Sequence, residues 1–565
     1  MPRPFAWEAS YPDSVRWDTP IAVSTLPEFL DRAVAQFGDR PALEFLGRRM
    51  SYAELGERVD RLARGLTALG LLPGDAVALL LTNSPAHPIA FFAVLRIGGV
   101  VVHLSPLDPM RAVERKLADS GTQTMIVGNL PVLLPQALAA RQAGAISKLI
   151  VAEDLDWGPG GVDAPVPPGA RTLRDLDGPE AAWPAIEPQD VAVLQYTGGT
   201  TGAPRAAMLT HANITSAVAI YQAWNIGTER DYVAGDRVMC VLPLFHIYAL
   251  TAVMLRALAS GAELMLRPRF DVNQALDDIE TGRCTHFYGV PTMWIALANH
   301  PGFASRDLSS LKVTSSGGAA LPHDVGVRVE AITGLRLGGG WGMTETSPAG
   351  THVLTDHTPG PGEIGVPLPG IEMDVAAVDD PTRVLPPGEI GEVRIRGPNV
   401  TPGYWRRPAE TAEAFVDGWF LTGDIGRMAP DGVFTLVDRK KEMIISGGFN
   451  VYPRSIEDAI HEHPDVREAA VIGIHDPYRG QAAKAYVVLR DGAPTLTLDA
   501  LREFLADKLG RHELPTALEI RDQLPHTPVG KLAKRELIAE LTQPGSSQPA
   551  PSQPAPSQHG ASNHG

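Results

Sequence analysis

The chain has 565 residues, of which 44% are hydrophobic and 20% charged, the balance of a globular enzyme with roughly two to four domains rather than one core. Lys and Arg number 49 against 65 Asp and Glu, for a net charge of −16, which excludes a general nucleic-acid binder but permits local basic clusters facing anionic substrates. Only Cys240 and Cys284 are present, which excludes a disulfide framework and makes buried packing the expectation for both.

The first residues, Met1 to Glu8, lack the apolar core of a signal peptide. The longest uncharged apolar stretch, residues 238–255, is interrupted by Pro243 and His246. It reads as strand, turn and helix rather than a membrane span. A cytoplasmic protein is expected, with peripheral membrane contact and a homodimer left open.

Along the chain, Leu26, Phe29, Leu30 and Val34 have helical spacing, as do Leu62, Leu66 and Leu69. Residues 77–81 and 100–104 read as buried strands, and so do 239–242, 263–266, 286–288 and 311–313. Strands alternating with helices predict an α/β fold built on parallel-rich sheets. From Gly362 to Gly403 the pattern changes to short strands and Pro/Gly turns, which predicts a small β-barrel-like subdomain near 360–437. Within it, residues 392–396 alternate as a half-exposed antiparallel strand would. After Asp438 comes Arg439-Lys440-Lys441-Glu442, then a compact α+β pattern with strands at 469–474 and 485–489 and a helix on Leu498, Leu501, Phe504 and Leu505, capped by Thr497. The expected organisation is a large domain over 1–438, a small mobile α+β domain over 439–542, and a disordered Ser/Gln/Pro/Ala tail over 543–565.

The most informative segment is Tyr196-Thr197-Gly198-Gly199-Thr200-Thr201-Gly202, after the apolar run 191–194. Bare glycines let backbone N–H groups curl around an anion, and threonine hydroxyls add donors and metal ligands. The segment reads as a polyphosphate grip at a strand end; the bland alternative is a Gly/Thr-rich solvent turn. It is not a Walker loop, since no Gly-Lys-Ser/Thr closes it, and its spacing is wrong for a dinucleotide fingerprint. Four weaker segments follow in order: Gly340-Trp341-Gly342-Met343-Thr344-Glu345, Thr422-Gly423-Asp424, Asp438-Arg439 before Ser446-Gly447-Gly448-Phe449, and Pro525-His526-Thr527-Pro528-Val529-Gly530-Lys531.

Together these segments resemble the adenylate-forming superfamily of acyl-CoA synthetases, luciferases and peptide-synthetase adenylation domains, over all but the tail. Met208-Leu209-Thr210-His211 and Gly448-Phe449-Asn450-Val451-Tyr452-Pro453 look most like bacterial long-chain fatty acid–CoA ligases. The resemblance implies two half-reactions: a carboxylate attacks the α-phosphorus of ATP, giving acyl-AMP and pyrophosphate, and the thiol of CoA then displaces AMP. A carboxylic acid is already ionised at neutral pH, so the first half needs charge neutralisation and alignment rather than a base.

The resemblance also distributes roles. Thr197, Gly198, Gly199, Thr200, Thr201, Gly202 and Arg205 are expected on ATP, with Gly317, Gly318, Ala319 and Trp341 bordering adenine and Gly342, Met343 and Thr344 beside it. Glu345 and Thr197 are expected to hold Mg²⁺. Asp424 is expected on the ribose hydroxyls and Arg439 on ribose or phosphate. Lys531, Glu345 and Thr200 are the expected catalytic groups, Lys531 bridging the carboxylate and the α-phosphate. Gly447, Gly448 and Phe449 are expected along the CoA arm, Lys441 at a hinge, and His246 at the acyl pocket. Each has a plainer reading: Glu345 as a surface acid, Asp424 as a turn residue, Arg439 as part of a solvated charged run, Trp341 and His246 as core, and Lys531 as a surface lysine. The chain departs from the family pattern at Arg205 (usually Lys), Ala206 (usually Gly), Trp341 (usually Tyr) and Phe449 (often Glu). Arg205 keeps the charge but spreads it over a planar fork. Three alternatives stand beside the CoA ligase: an acyl-AMP ligase loading a carrier protein, a ligase for aryl or branched acids, and a non-catalytic acyl-nucleotide adaptor.

Overall fold

The structure is a computed structural model and describes residues 3–158, 161–162, 164–180, 182–197, 205–228, 230–318, 321–354, 359–446, 449–477, 479–526 and 532–542. The expected Ser/Gln/Pro tail lies outside these residues. Contacts divide the chain into two compact units, Met1–Lys441 and Glu442–Gly565.

The first unit contains two parallel-rich sheets. One has seven strands, running from Arg171–Thr172 at one edge through Lys148–Ala152, Thr124–Gly128, Ala76–Leu80, Val100–His103 and Val191–Thr197 to Arg205–Thr210 at the other. All neighbours pair in parallel except the last two strands, which form an antiparallel hairpin with Thr197 opposite Arg205. The other has six strands, in the spatial order Val313–Ser316, His286–Gly289, Arg237–Cys240, Glu263–Leu266, Pro41–Phe45 and Arg48–Ser51. Continuous Val, Ile and Leu runs make the central strands buried on both faces, as crossover helices require. Those helices start where the sequence supplies caps. Thr25 accepts from Glu28 N ahead of Leu26–Phe37, and Thr210 accepts from Asn213 N ahead of His211–Asn225.

The third sheet of this unit is antiparallel, with seven strands between Thr351 and Arg439, in the region expected to form the barrel-like subdomain. Its strand Gly391–Arg396 differs from expectation. It is buried through Ile395 rather than half-exposed, because its alternate charges find partners inside. Arg394 forms a two-pronged ion pair with Asp374, at 2.7 and 2.6 Å, and Glu392 pairs with Lys440 at 2.7 Å. Charged residues enter an interior only when neutralised in this way. Two smaller departures occur in the six-stranded sheet. The strand expected at 311–313 starts at Val313. The helix after His246 is a π-helix, Tyr248–Leu255, before it tightens into Arg256–Ala259; wide turns of this kind recur at functional sites.

The second unit has a five-stranded sheet built on the long antiparallel pair Val466–Asp476 and Gly480–Leu489; Gly480–Leu489 also pairs with Ile444–Ser446 at its start, which in turn pairs with Phe449–Val451, and with the parallel strand Ala517–Ile520 further along. Thr497 caps Leu498–Leu505, which buries Leu501 and Leu505 in the core of this unit. Lys534, in the helix Lys534–Thr542, is paired with Glu442 and Glu457 at 2.9 and 2.8 Å. Among the described residues, no helix is long and apolar enough to cross a membrane, and both cysteines are buried and free.

Candidate active site

The strand Val191–Thr197 delivers the Gly/Thr segment, and the chain returns at Arg205. Gly198, Gly199, Thr200, Thr201 and Gly202 lie outside the described residues, as do Ala319, Gly447, Gly448 and Lys531. The two ends of the segment are defined. Thr197 Oγ1 donates to the Arg205 carbonyl at 3.4 Å, and Tyr196 OH donates to Asp119 at 2.9 Å.

Arg205 leads to the first cluster. Its guanidinium lies 4.9 Å from the ring centroid of Tyr404. The Tyr404 hydroxyl donates to Glu345 Oε1 at 2.9 Å. The backbone locks this arrangement: Ala207 bridges Tyr404, Trp405 N donates to Ala206 O at 2.9 Å, and Thr401 N donates to Glu345 O at 2.7 Å. Glu345 sits in a short turn, Thr344–Thr346, and is 5% exposed, so it is not a surface acid. Burial raises its pKa, against the opposing pull of the Tyr404 hydroxyl, Arg205 and Arg439. Glu345 and Thr197 supply hard oxygen donors, and Mg²⁺ takes one or two carboxylates together with phosphate oxygens rather than an all-protein cage. The two residues therefore fit that ion.

Tyr404 was not singled out from the sequence. Its only signal is an aromatic after Pro402-Gly403, and nothing in the spacing ties it to Glu345. Replacing Tyr404 with Phe is expected to lower unfolding stability at neutral pH by about 1.5–3 kcal/mol, the cost of taking a donor from a buried charged acceptor. The difference should shrink as pH falls and Glu345 takes up its own proton. Urea unfolding of both forms at neutral and mildly acidic pH measures it, and a pH-independent difference would contradict the assignment.

Asp424 centres the second cluster. It lies opposite Arg439 across the strands Trp419–Met428 and Phe434–Arg439. Arg439 Nε pairs with Oδ1 at 2.6 Å, and Trp341 Nε1 donates to Oδ2 at 2.7 Å. Three of the expected nucleotide residues therefore meet at one buried carboxylate. Trp341 is also core: it is buried among Val366, Leu368 and Phe420. Glycine is required around it, because a Cβ on Gly342 would overlap the carbonyl oxygen of Pro348 and one on Gly350 would press on the Trp341 ring. Met343 packs against the same core, and Thr344 opens the turn that holds Glu345. The charged run after Asp438 is not simply solvated, since Lys440 binds the buried Glu392, which also accepts from Gly423 N at 3.1 Å. Lys441 is the last residue of the first unit.

Gly317 and Gly318 follow the strand Val313–Ser316. A Cβ on Gly317 would lie 2.8 Å from Tyr248 Cζ, so the bare backbone lets the tyrosine ring rest against this loop. His246 is half-buried and its Nδ1 accepts from Tyr248 N at 3.3 Å. His246 thereby shapes the entry to the π-helix. Phe449 opens the strand Phe449–Val451 of the second unit.

Residues 30–405 match the model of the AMP-binding enzyme family, and residues 455–531 match that of the AMP-binding enzyme C-terminal domain. The chain is 36% identical over 556 residues to a long-chain-fatty-acid–CoA ligase of Bacillus subtilis (strain 168), covering 95% of this chain and 98% of that protein. It is 39% identical over 492 residues to a feruloyl-CoA synthase of an Amycolatopsis species, covering 87% and 94%. Among solved structures, ATP-bound MatB from Rhodopseudomonas palustris superposes with a TM-score of 0.80 at 30% identity, covering 91% of this chain and 98% of that one.

Proposed function

Because the chain belongs to the AMP-binding enzyme family, we propose that it is an ATP-dependent fatty acid–CoA ligase. In the first half-reaction a carboxylate oxygen bonds to the α-phosphorus of ATP and the bond to pyrophosphate breaks. In the second, the thiol sulfur of CoA bonds to the acyl carbon, its proton is released, and AMP departs with the electron pair of the broken acyl–oxygen bond.

The observation that carries this reading is the buried Glu345, joined through Tyr404 to Arg205 at the foot of the Gly/Thr segment. In this reading the backbone of Gly198, Gly199 and Gly202 and the hydroxyls of Thr200 and Thr201 take the phosphates. Arg205 is fixed by the Tyr404 ring and adds positive charge beside them. Glu345 and Thr197 hold Mg²⁺, which when bound neutralises phosphate charge. Asp424, already held by Trp341 and Arg439, receives the ribose hydroxyls on lone pairs left by those bonds. The Trp341 ring and the bare Gly317–Gly318 backbone flank the base.

Lys531 is assigned to the first half, where a flexible ammonium bridges the two reacting anions. Gly447 and Gly448 are assigned to the second, where a thin pantetheine arm must pass residues without side chains. Lys441 is the assigned hinge between the two, and His246 borders the acyl group. A cytoplasmic location accords with two free, buried cysteines.

Supplying ATP, Mg²⁺, CoA and a series of carboxylic acids, and following AMP release, tests the reading. CoA-dependent AMP with acids of intermediate or long chain is the expected result, and none with any acid would end it. The feruloyl-CoA synthase relative favours one second reading, an aryl acid as substrate, which the same series detects.

A further inference from the structure

Two buried side-chain amides of the seven-stranded sheet reach across to the six-stranded sheet and hold the turn that follows its strand Arg237–Cys240. Asn83, just past the strand Ala76–Leu80, donates through Nδ2 to the carbonyls of Cys240 and Leu242 at 3.1 and 2.9 Å, and its Oδ1 accepts from Leu244 N at 2.9 Å. Gln195, in the strand Val191–Thr197, donates through Nε2 to the Phe245 carbonyl at 2.9 Å. The backbone between Cys240 and Phe245 is thus answered from the neighbouring sheet, and His246 is the next residue.

The other end of Gln195 is engaged as well. Its Oε1 lies 3.1 Å from Nδ1 of His103, the last residue of the parallel strand Val100–His103 beside it. An amide donates only from nitrogen, so the bond to the Phe245 carbonyl leaves the oxygen facing His103, and His103 must donate from Nδ1. Burial pushes the pKa of His103 down to about 4, so the ring is neutral and this is its one proton. His87 and Phe91, one turn apart in the helix Ala86–Arg96, set its plane: their rings lie nearly parallel to it, with centroids at 5.1 and 6.1 Å. A buried amide joined to an imidazole costs more to desolvate than an apolar pair of the same size. What the polar pair adds is direction, a link of fixed length and orientation between two sheets.

The link stands at the carboxyl ends of its strands, where open α/β sheets receive ligands. On one side, Thr197 and the phosphate-assigned Gly/Thr segment follow Gln195 along its own strand, with Tyr196 between. On the other, His246, assigned to the acyl group, follows Phe245 directly. Joining a carboxylate to phosphorus demands that both reactants be held in contact and in line, and a misplacement of about 1 Å costs about 10²-fold in rate. Gln195 is the side chain that spans the two segments bearing those assignments.

We propose that Gln195 is a positioning residue of the first half-reaction: oriented by His103, its amide holds the Phe245–His246 turn in register with the phosphate loop, so that the acyl carboxylate meets the α-phosphorus in line. The proposal rests on the ligase reading and adds to it a residue that touches neither substrate. It predicts an unequal effect on the two halves. Acyl-AMP formation needs two separate anions aligned across the link. In acyl-AMP they are already bonded, so thiolysis no longer depends on it.

The test uses the full chain and the acid that gives the wild type its highest rate. Gln195→Met keeps the length of the side chain and removes both hydrogen bonds. It should lower kcat for pyrophosphate exchange by about tenfold to hundredfold, with KM for ATP and the rate of thioester formation from supplied acyl-AMP and CoA nearly unchanged. His103→Phe keeps a ring beside His87 and Phe91 but removes the donor to Oε1, and should give the same imbalance at smaller size. Nitrogen NMR of the wild type labelled at histidine, with His103 assigned by its loss in His103→Phe or His103→Gln, should show a neutral ring protonated on Nδ1. Should Gln195→Met fail to fold, His103→Phe and the tautomer carry the test. Equal losses in both halves, a loss confined to KM for ATP, or a proton on Nε2 of His103 would overturn the inference and leave the ligase intact. Absence of CoA-dependent AMP from the wild type with every acid would instead remove the ligase reading itself.

Discussion

Lys531→Ala is expected to slow acyl-AMP formation by about 10²–10³-fold, the scale on which a single transition-state charge contact acts, while thioester formation from supplied acyl-AMP and CoA continues largely unchanged. The asymmetry follows from the charges of the two steps. Adenylation brings a carboxylate onto a phosphate, and two anions approach only where a cation lies between them. Thiolysis of acyl-AMP joins a thiol to an activated carbonyl and has less need of that cation. Pyrophosphate exchange reports the first half, and acyl-CoA release from pre-formed acyl-AMP reports the second. Lys531 stands in a segment rich in cations, with Lys534 and Arg535 close behind, but Lys534 is already committed to Glu442 and Glu457 and cannot replace it without breaking those pairs. Equal losses in both halves would contradict the assignment of Lys531 to adenylation alone.

Glu345→Gln should separate stability from activity. Burial raises the pKa of Glu345 above the value of the unfolded chain. A group whose folded pKa is raised binds its proton more tightly in the native state. Its contribution to stability is complete below the unfolded carboxyl pKa of about 4.3 and is lost as pH climbs through the raised folded value. Above that raised value the ionised carboxylate strains the ligand-free fold, and glutamine, which still accepts from the Tyr404 hydroxyl, removes that strain. The variant is expected to melt at or above the wild-type temperature near neutral pH, with the difference vanishing in acid. Adenylation should nevertheless fall by about 10²–10³-fold, because a neutral amide is a poor partner for Mg²⁺ and phosphate. ATP with Mg²⁺ should raise the melting temperature of the wild type and not of the variant. A variant less stable than wild type at neutral pH, yet fully active, would exclude Glu345 from the site.

Much of the architecture was legible because hydrophobic period and cap chemistry are local properties. The strand Glu263–Leu266 and the helix Leu498–Leu505 with its Thr497 cap fall where the pattern puts them. The alternation of strands and helices announced parallel-rich sheets, since crossovers demand it. The segment order Gly/Thr loop, Gly340–Glu345 and Thr422–Asp424 pointed to nucleotide chemistry before any partner was known.

Other features have no local signature. Residues 392–396 read as half-exposed because Glu392 and Arg394 alternate with apolar neighbours; they are buried because Lys440 and Asp374, remote in sequence, neutralise them. Tyr404 joins Arg205 to Glu345 only because the connection between the strands Gly391–Arg396 and Phe415–Val416 of the antiparallel sheet returns to the hairpin edge. Arg256 lies just past the uncharged apolar stretch 238–255, and its place against the rings of Tyr221, Tyr232 and Tyr288 arises from segments remote in sequence. Sequence alone determined which chemistry the backbone loops and charged groups can support, because residue type and spacing along the chain suffice for that. Tertiary structure decided which of those charges are buried and which partners neutralise them, because burial and distance are properties of the packed chain.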